Sequence, residues 1–391
     1  MIAKLGDIAE FTNGGAWSDR EYTETGIPVV KVTNLKNGTV DLTEINYIPE
    51  SSLDKYGRHL LRKGDLVIAT VGSHPNLVAS AAGRATIIPS IAEGALLNQN
   101  ALCLRTNSEI LHQGYLGYLG KSDLFQGYVK SVGRGAANQV RIALGLIKEF
   151  SFDLPPLPTQ RKIANILSAY DDLIENNLKR IKLLEEKAFL RYKQIAKEEK
   201  LEKHTLSDFG DIITGKTPST TIADYFGDDV PFIKTPDMHN QIFIEHTDQM
   251  LSELGAKSQE KKFLPPLSLC VSCIGTAGVI GITSKPSQTN QQINSIVFDE
   301  PKNVYFFYAL MSQMKEQLDA LGSNGSTFTN VNKNKFENME VFVPNQKTLN
   351  EFAEEFEDLF KLILTLQKRN NKLREARDIL LPRLMSGQIE V

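Results

Sequence analysis

The sequence predicts an α+β fold in which two mostly β domains are joined by two long antiparallel coiled-coil helices, written as a pseudo-twofold repeat. Three observations carry this expectation. The chain repeats itself in order along its 391 residues. Each half opens with short β-rich runs broken by Gly, Pro, Asn and Ser. Each half then passes, at a proline, into a long segment free of Pro and Gly whose apolar residues recur in heptads. At roughly 100–200 residues per domain, the length also calls for more than one core. The expected segments are 1–158, a first β-rich domain; 159–200, a central helical spacer; 201–345, a second β-rich domain; and 346–391, a distal helical spacer.

The repeat is read from six ordered matches. LGDIAEFTNGGAWS from Leu5 reads against LSDFGDIITGKTPS from Leu206. IPVVKVTNL from Ile27 reads against VPFIKTPDM from Val230, which sets Lys31 over Lys234 and Asn34 over Asp237. LLRKGDLVIATVG, ending at Gly72, reads against FLPPLSLCVSCIG, ending at Gly275; LNQNALCL from Leu97 reads against QQINSIVF from Gln291. VGRGAANQV from Val132 matches LGSNGSTFTNV from Leu321 with a short insertion, and SFDLPPLP from Ser151 matches EVFVPNQ from Glu340.

After Pro158 and Pro344 come the two helical segments, each about 35 residues or some 50 Å at 1.5 Å per residue. In the first, Leu167, Ile174, Ile181, Ala188 and Ile195 take the a positions, with Ile163, Tyr170, Asn177, Leu184 and Arg191 at d. In the second, Phe356, Ile363, Asn370, Arg377 and Leu384 take a, with Phe352, Leu359, Leu366, Leu373 and Leu380 at d. An amphipathic helix lying on its own globule also shows an apolar stripe, but five heptads exceed what a globule of about 150 residues can cover. In an antiparallel pair every a faces a d. One register satisfies all layers: Leu167 faces Leu380, Ile174 faces Leu373, Ile181 faces Leu366, Ala188 faces Leu359 and Ile195 faces Phe352. It places Asn177 opposite Asn370 at the centre, with Arg377 over Tyr170 and Arg191 over Phe356 on either side.

Composition narrows the class without naming a function. Hydrophobic residues at 41% and charged residues at 23% fit an ordinary globular chain and exclude a disordered or collagenous one. No run approaches the ~18 apolar residues of a membrane span, and MIAKLGDIAEFTNGG lacks the pattern of a signal peptide, so no membrane partner and a cytoplasmic location are expected. Three cysteines cannot build a disulfide framework. Cys270 and Cys273 form a lone CxxC, with His239 and His246 far upstream and without ligand spacing; LCVSCIG reads instead as an alternating buried strand, and no metal is expected. The net charge is −3, and Lys+Arg against Asp+Glu runs 15 to 15, 10 to 7, 11 to 17 and 8 to 8 along the four segments. With no basic tail, a nucleic-acid contact must come from local clusters or from partner subunits that supply positive field.

Enzyme motifs fare poorly. Gly210 to Thr217 satisfies GxxxxGK[ST], yet the polar HTLSDFGD precedes it, Ile212 and Ile213 fill it with β-branched bulk, and Pro218 follows where a phosphate-binding helix should open. The matching segment in the first half ends in Asn13-Gly14-Gly15, which breaks the motif. The pairs at Pro155 and Pro265 lack the flanks of an amino-methyltransferase [DN]PP[FYW] motif, and no GxSxG elbow or histidine triad is visible. No catalytic residue and no cofactor is assigned. What remains are polar, glycine-bearing loops at matching places. Gly14, Gly15, Trp17 and Ser18 stand opposite Gly215, Lys216, Thr217 and Ser219; Gly133, Arg134, Gly135, Asn138, Gln139 and Arg141 stand opposite Gly322, Ser323, Asn324, Ser326, Asn330 and Lys333. Loops of this composition also serve as plain turns, but such side chains reach phosphates and base edges. With the loops repeated in both halves, these residues apart from Gly133, Gly135 and Gly322, together with Lys31, Asn34 and Lys234, are the candidate DNA contacts.

At these residues a family resemblance becomes specific. L-x-D-x-x-x-x-x-x-G-K-T-P-S around Leu206, VPFIKTPDM, the PLPTQRKIANIL helix entry and the closing LLPRLMSGQI resemble the specificity subunit of type I restriction-modification enzymes, over the whole chain. The first half departs in having Gly-Gly-Ala-Trp where the family often has Gly-Lys-Thr-Pro. The resemblance implies two target recognition domains, each reading half of a bipartite, asymmetric target in double-stranded DNA. It implies a non-catalytic subunit whose helices bind two methyltransferase subunits, with restriction/translocase subunits joining that complex. S-adenosylmethionine would bind those partners. The residues by themselves leave open a structural adaptor with two β-rich binding modules on a coiled-coil rod.

Overall fold

The structure, a computed structural model, describes residues 1–36, 38–42, 45–72, 82–107, 109–136, 139–323 and 329–391. The chain forms two compact units, Met1–Glu175 with Leu373–Val391, and Asn176–Lys372.

The first unit is built on four strands: β1 (Ala9–Asn13), β2 (Leu66–Ala69), β3 (Ala85–Ile87) and β4 (Ala101–Thr106), hydrogen-bonded in the antiparallel order β1-β4-β2-β3. Strand side chains alternate between faces, and here both faces are apolar. Leu66 and Ile68 of β2 and Leu102 and Leu104 of β4 join a core with Tyr115, Leu116 and Leu119 of the helix Gln113–Lys121. Val67, Ala69, Ala101 and Cys103 point the other way and join Val30, Leu35 and Leu97. The second layer rests on Ile27–Val30, which pairs in parallel with Leu96–Leu97 and antiparallel with Asn46–Ile48. A terminal ladder, Ile2–Lys4 against Ser151–Asp153, closes the unit just before its helix.

The second unit repeats this plan. Strands β5 (Gly210–Thr214), β6 (Leu269–Ser272), β7 (Ile280–Thr283) and β8 (Ile293–Phe298) lie in the order β5-β8-β6-β7, with Phe243–Ile244 added beyond β7. Leu269 and Val271 join Ile212, Ile296 and the aromatic helix Val304–Met311, while Cys270 joins Ile233, Met238, Ile244 and Ile293. Within LCVSCIG only Leu269–Ser272 forms this strand, its alternation running between two apolar cores with all four residues buried, while Ile274–Gly275 beyond Cys273 is a separate short strand. Burial pushes the Cys270 thiol up to about 12 and the Cys273 thiol to about 11. All three cysteines are free, and no cluster of metal-ligating side chains occurs among the described residues.

Strand pairing corrects two of the repeat alignments. Leu102 stands opposite Asn13 and Ile68, and Asn294 stands opposite Thr214 and Val271, so Leu102 matches Asn294 and the pairing of Leu97 with Gln291 is displaced by two residues. A two-residue slip leaves every side chain on its face, so hydrophobicity alone could not detect it. The insertion expected after Leu321 is absent. Val140 pairs with Gly72 as Thr329 pairs with Gly275, and Ile142 donates to the Thr70 carbonyl as Val331 donates to that of Cys273.

The helices are α1 (Leu157–Glu198) and α2 (Gln346–Met385), 42 and 40 residues long and thus longer than expected, about 60 Å each. Pro158 sits in the first turn of α1, where its missing N–H costs nothing, and Pro382 falls in the last turn of α2. In the first unit Ile163, Leu167 and Leu384 are core residues, Leu380 packs against them, and Ile174 is buried while Tyr170 and Leu373 are half-buried. In the second unit Ile181, Ala188, Ile195, Phe352, Phe356, Ile363 and Leu366 share one core, with Leu184 and Leu359 packed against it. The Asn177 side-chain amide donates to the Asn370 oxygen at 2.8 Å, with both residues buried, as the antiparallel register requires. The flanking arginines keep the register but pair with carboxylates beside the expected rings. Arg377 pairs with Asp171 and Asp378, and Arg191 with Glu355 at 3.3 Å, while the Lys187 amine lies 5.9 Å from the Phe356 ring centre. A carboxylate one residue from the aromatic layer offers a charge-assisted hydrogen bond, which outweighs stacking on the ring.

Candidate nucleic-acid interface

In each unit the backbone gathers the predicted loops at one end of the central sheet. Strand β1 ends at Asn13, β2 ends at Ala69, and β4 begins at Ala101, all at the same end of the antiparallel ladder. Gly14 and Gly15 leave that end and donate to the carbonyls of Ala101 and Leu97. Lys31 leaves the strand Ile27–Val30 beside them, since Asn98 donates to the Val30 carbonyl. The hairpin of Arg134–Ala136 and Gln139–Arg141 pairs with Val71–Gly72, and Thr70 bonds the Asn100 carbonyl. The second unit does the same with Gly215 on Ile293, Lys216 on Thr289, Asn290 on Ile233, and Thr329–Asn330 on Ile274–Gly275. Asn138, Asn324 and Ser326 lie outside the described residues.

The loop glycines are needed for packing. A Cβ on Gly14 would fall 1.9 Å from the Asn98 oxygen, and one on Gly215 would fall 2.1 Å from the Asn290 oxygen. Because the amides of Gly215 and Lys216 are both spent on backbone carbonyls, and Gly210–Thr214 is a strand with no helix opening behind Thr217, the GxxxxGK[ST] pattern forms no phosphate cradle. Asn34 and its match Asp237 are also occupied internally. The Asn34 side-chain oxygen accepts from the Lys31 amide at 2.9 Å, and Asp237 accepts from the Lys234 amide at 2.8 Å, each capping a short 3₁₀ turn. Burial raises the Asp237 carboxyl above its ordinary range.

Around these turns the two units are decorated differently. Trp17 is half-buried; its indole N–H donates to the Tyr22 hydroxyl at 3.2 Å and its ring meets Tyr56 edge-on at 5.1 Å. The Lys31 amine lies 4.4 Å from the centre of the Tyr22 ring and donates to Asn46. Ser18 donates from its amide to Glu21, which also accepts from Tyr56 and Lys55; these bonds, the Ser18 amide first, hold the Glu21 carboxyl down at about 2. In the second unit Lys216 is exposed, and its carbonyl is held by the buried Gln259 amide at 2.9 Å. Thr217 donates to Gln291, and Ser219 shares a hydrogen bond with Thr221. Lys234 lies over Phe232 at 5.8 Å. Ser323 ends the helix Lys315–Gly322, Asn330 is exposed on its strand, and Lys333 opens the helix Lys333–Glu337, 3.8 Å from Glu337. Arg141 is exposed at the end of its hairpin.

One basic pair in each unit lies outside the loops that the sequence pattern singles out. Arg58 and His59 lie in the turn Gly57–His59, and Lys261 and Lys262 lie in the matching turn Glu260–Lys262. Its only signal was a basic dipeptide at equal distance before β2 and β6.

The match to known proteins agrees with this duplicated architecture. The family model for the type I restriction modification DNA specificity domain matches residues 1–186 and again 198–375. A Haemophilus influenzae protein named as the type I restriction enzyme HindI specificity subunit is 46% identical over 190 residues, 48% of this chain and 41% of that one. A Methanocaldococcus jannaschii protein named as a putative type I restriction enzyme specificity subunit is 22% identical over all of this chain and 93% of its own length. The crystal structure of a type I restriction-modification S subunit from M. genitalium shares the fold, with a TM-score of 0.57, 15% identity and coverage of 98% of this chain and 95% of that one. Matched twice by one family model across nearly its whole length, the chain belongs to the type I restriction modification DNA specificity domain family.

Proposed function

We propose that this chain is the non-catalytic DNA-specificity subunit of a type I restriction-modification complex, acting in the cytoplasm. It reads a bipartite, asymmetric target in double-stranded DNA. Segments 1–158 and 201–345 are its target recognition domains, and segments 159–200 and 346–391 are helical spacers that scaffold two methyltransferase subunits, through which restriction/translocase subunits join. The methyl donor binds the methyltransferase partners, and this chain holds no cofactor. The single observation that carries the reading is the duplicate delivery of polar and cationic loops to the same end of the matching central sheet in both units. Loops on a rigid sheet suit sequence reading, because the scaffold fixes their position while their side chains vary. The candidate contacts are Arg134, Asn138, Gln139, Arg141 and Lys31 in the first domain, and Lys216, Thr217, Ser219, Lys234, Ser323, Asn324, Ser326, Asn330 and Lys333 in the second; Gly14, Gly15, Gly215, Asn34, Trp17 and Ser18 shape the turns that present them.

Methylome sequencing of a host expressing this chain with its methyltransferase partner tests the reading. A methylated motif of two short half-sites with an unread gap is expected. Exchange of residues 201–345 for the same region of a related subunit should change one half-site and leave the other intact. Absence of a methylated motif, or a swap that scrambles both halves, would overturn it. A structural adaptor would show no salt-dependent duplex binding.

A further inference from the structure

We propose that Arg58 is a further DNA-contacting residue, with His59 as its positioning residue, presenting a guanidinium fork to a pair of acceptors on the duplex, either phosphate oxygens or the O6/N7 edge of a guanine. The inference rests on the DNA-reading function above and adds a contact that none of the predicted loops contains.

The geometry begins at His59, which is buried and wedged against the glycine loop: a Cβ on Gly15 would fall 2.9 Å from its ring. Its Nδ1 lies 2.8 Å from the Asn13 carbonyl oxygen, which can only accept, so Nδ1 carries the proton. The Nε2 of the neutral ring is then an acceptor, and the Arg58 Nε donates to it at 3.0 Å. Asn13 is the last residue of β1, so this relay ties Arg58 to the end of the sheet where the candidate loops gather. The Arg58 side chain is exposed and makes no ion pair among the described residues, although carboxylates accept from its neighbours Lys55 and Arg105. With Nε spent on His59, the two terminal NH₂ groups keep their fork, the edge that meets phosphate or guanine bidentately. In the second unit Lys261 occupies the matching turn position, likewise exposed and without an ion pair among the described residues.

The test uses the chain in complex with its methyltransferase partner and fluorescent duplexes carrying the methylated motif or single-base variants of it. Arg58→Ala is expected to weaken binding about tenfold to a hundredfold with an unchanged melting temperature. In the phosphate case the loss is uniform over all duplexes, the slope of log affinity against log salt falls by about one, and Arg58→Lys retains most of the affinity. In the guanine case discrimination vanishes at one G·C pair and Arg58→Lys fails to restore it. His59→Phe should weaken binding in the wild-type background and add nothing to Arg58→Ala, whereas a merely structural histidine would cost the same in both. Should Arg58→Ala lower the melting temperature, Arg58→Gln, which keeps the stem, makes the same comparison. Binding within twofold of wild type on every duplex would overturn the assignment of Arg58 alone. Failure of the unmodified complex to bind any duplex would overturn the DNA-reading function, and this inference with it.

Discussion

The Asn177–Asn370 pair makes the sharpest claim about how the helices hold their register. Asn370 is 1% exposed and Asn177 is 7% exposed, with a 2.8 Å hydrogen bond between them and apolar layers of Ile181, Ile363 and Leu366 on their second-unit side. Asn177→Leu removes the donor to the Asn370 oxygen; Asn370→Leu removes the acceptor of the Asn177 amide. Either change strips a buried polar group of one partner, at about 1–3 kcal/mol. Leucine has the branching and side-chain heavy-atom count of asparagine but is the larger side chain, so each single loss includes a steric share. The double variant removes both polar groups together and replaces them with an apolar layer, which is near neutral or stabilising, since an asparagine in such a seam specifies register at a cost in stability. A double-mutant cycle by urea unfolding of the full chain should therefore yield a coupling at least as large as one single loss and up to the sum of both, about 1–6 kcal/mol, with the double variant at least as stable as either single one. Strictly additive losses, or a double variant weaker than both singles, would refute the argument.

Three further outcomes follow from the loops. Gly14→Ala and Gly215→Ala should each destabilise the chain by about 1–3 kcal/mol in denaturant unfolding, because the added methyl meets a backbone oxygen at 1.9 or 2.1 Å; unchanged midpoints would mean the loops can yield. Lys216→Ala should lower duplex affinity while leaving stability within ~0.5 kcal/mol, as for other exposed side chains, and wild-type affinity at moderate salt would strike it from the contacts. The Glu21 carboxyl, held at about 2 against an ordinary value of 4.5, stabilises the Trp17 turn as an anion. That contribution is complete above the ordinary glutamate range and is lost as pH falls through about 2, so fluorescence of the sole tryptophan should shift in acid, and Glu21→Gln should remove that step. A shift that survives in Glu21→Gln would assign it elsewhere.

How much of this was legible in the sequence depended on whether one chain segment carried the signal. The helices were legible because a heptad is a local pattern: Leu167, Ile181 and Phe356 announce their burial within a few residues of themselves. The partners of Arg191 and Arg377 were not, because Glu355 and Asp171 lie on the opposing helix, one residue off the heptad layer. The repeat was visible where Gly, Pro and Lys punctuate it, as at Lys31 and Lys234. It slipped by two in β4 and β8, where alternating apolar residues look the same after a two-residue shift. The relay from Asn13 through His59 to Arg58 crosses 46 residues of sequence and leaves no periodic trace.

The glycine loops bear on how one scaffold can present two different sets of side chains. In both units the amides of the paired loop positions, Gly14 and Gly15 against Gly215 and Lys216, are bonded to the same two places on the neighbouring strand and its approach. Backbone hydrogen bonds spent this way cannot read a ligand, but they hold the turn whatever side chains it bears. Freed from that task, the same positions carry opposite decorations: glycine followed by an inward-packed Trp17 in the first unit, and an exposed Lys216 followed by Thr217 in the second. On the proposed function, a fixed backbone with variable side chains would let a domain exchange alter one half-site. On that same function, substitutions of the side chains at the sheet end should redirect the target, while substitutions of the loop glycines should destabilise the chain.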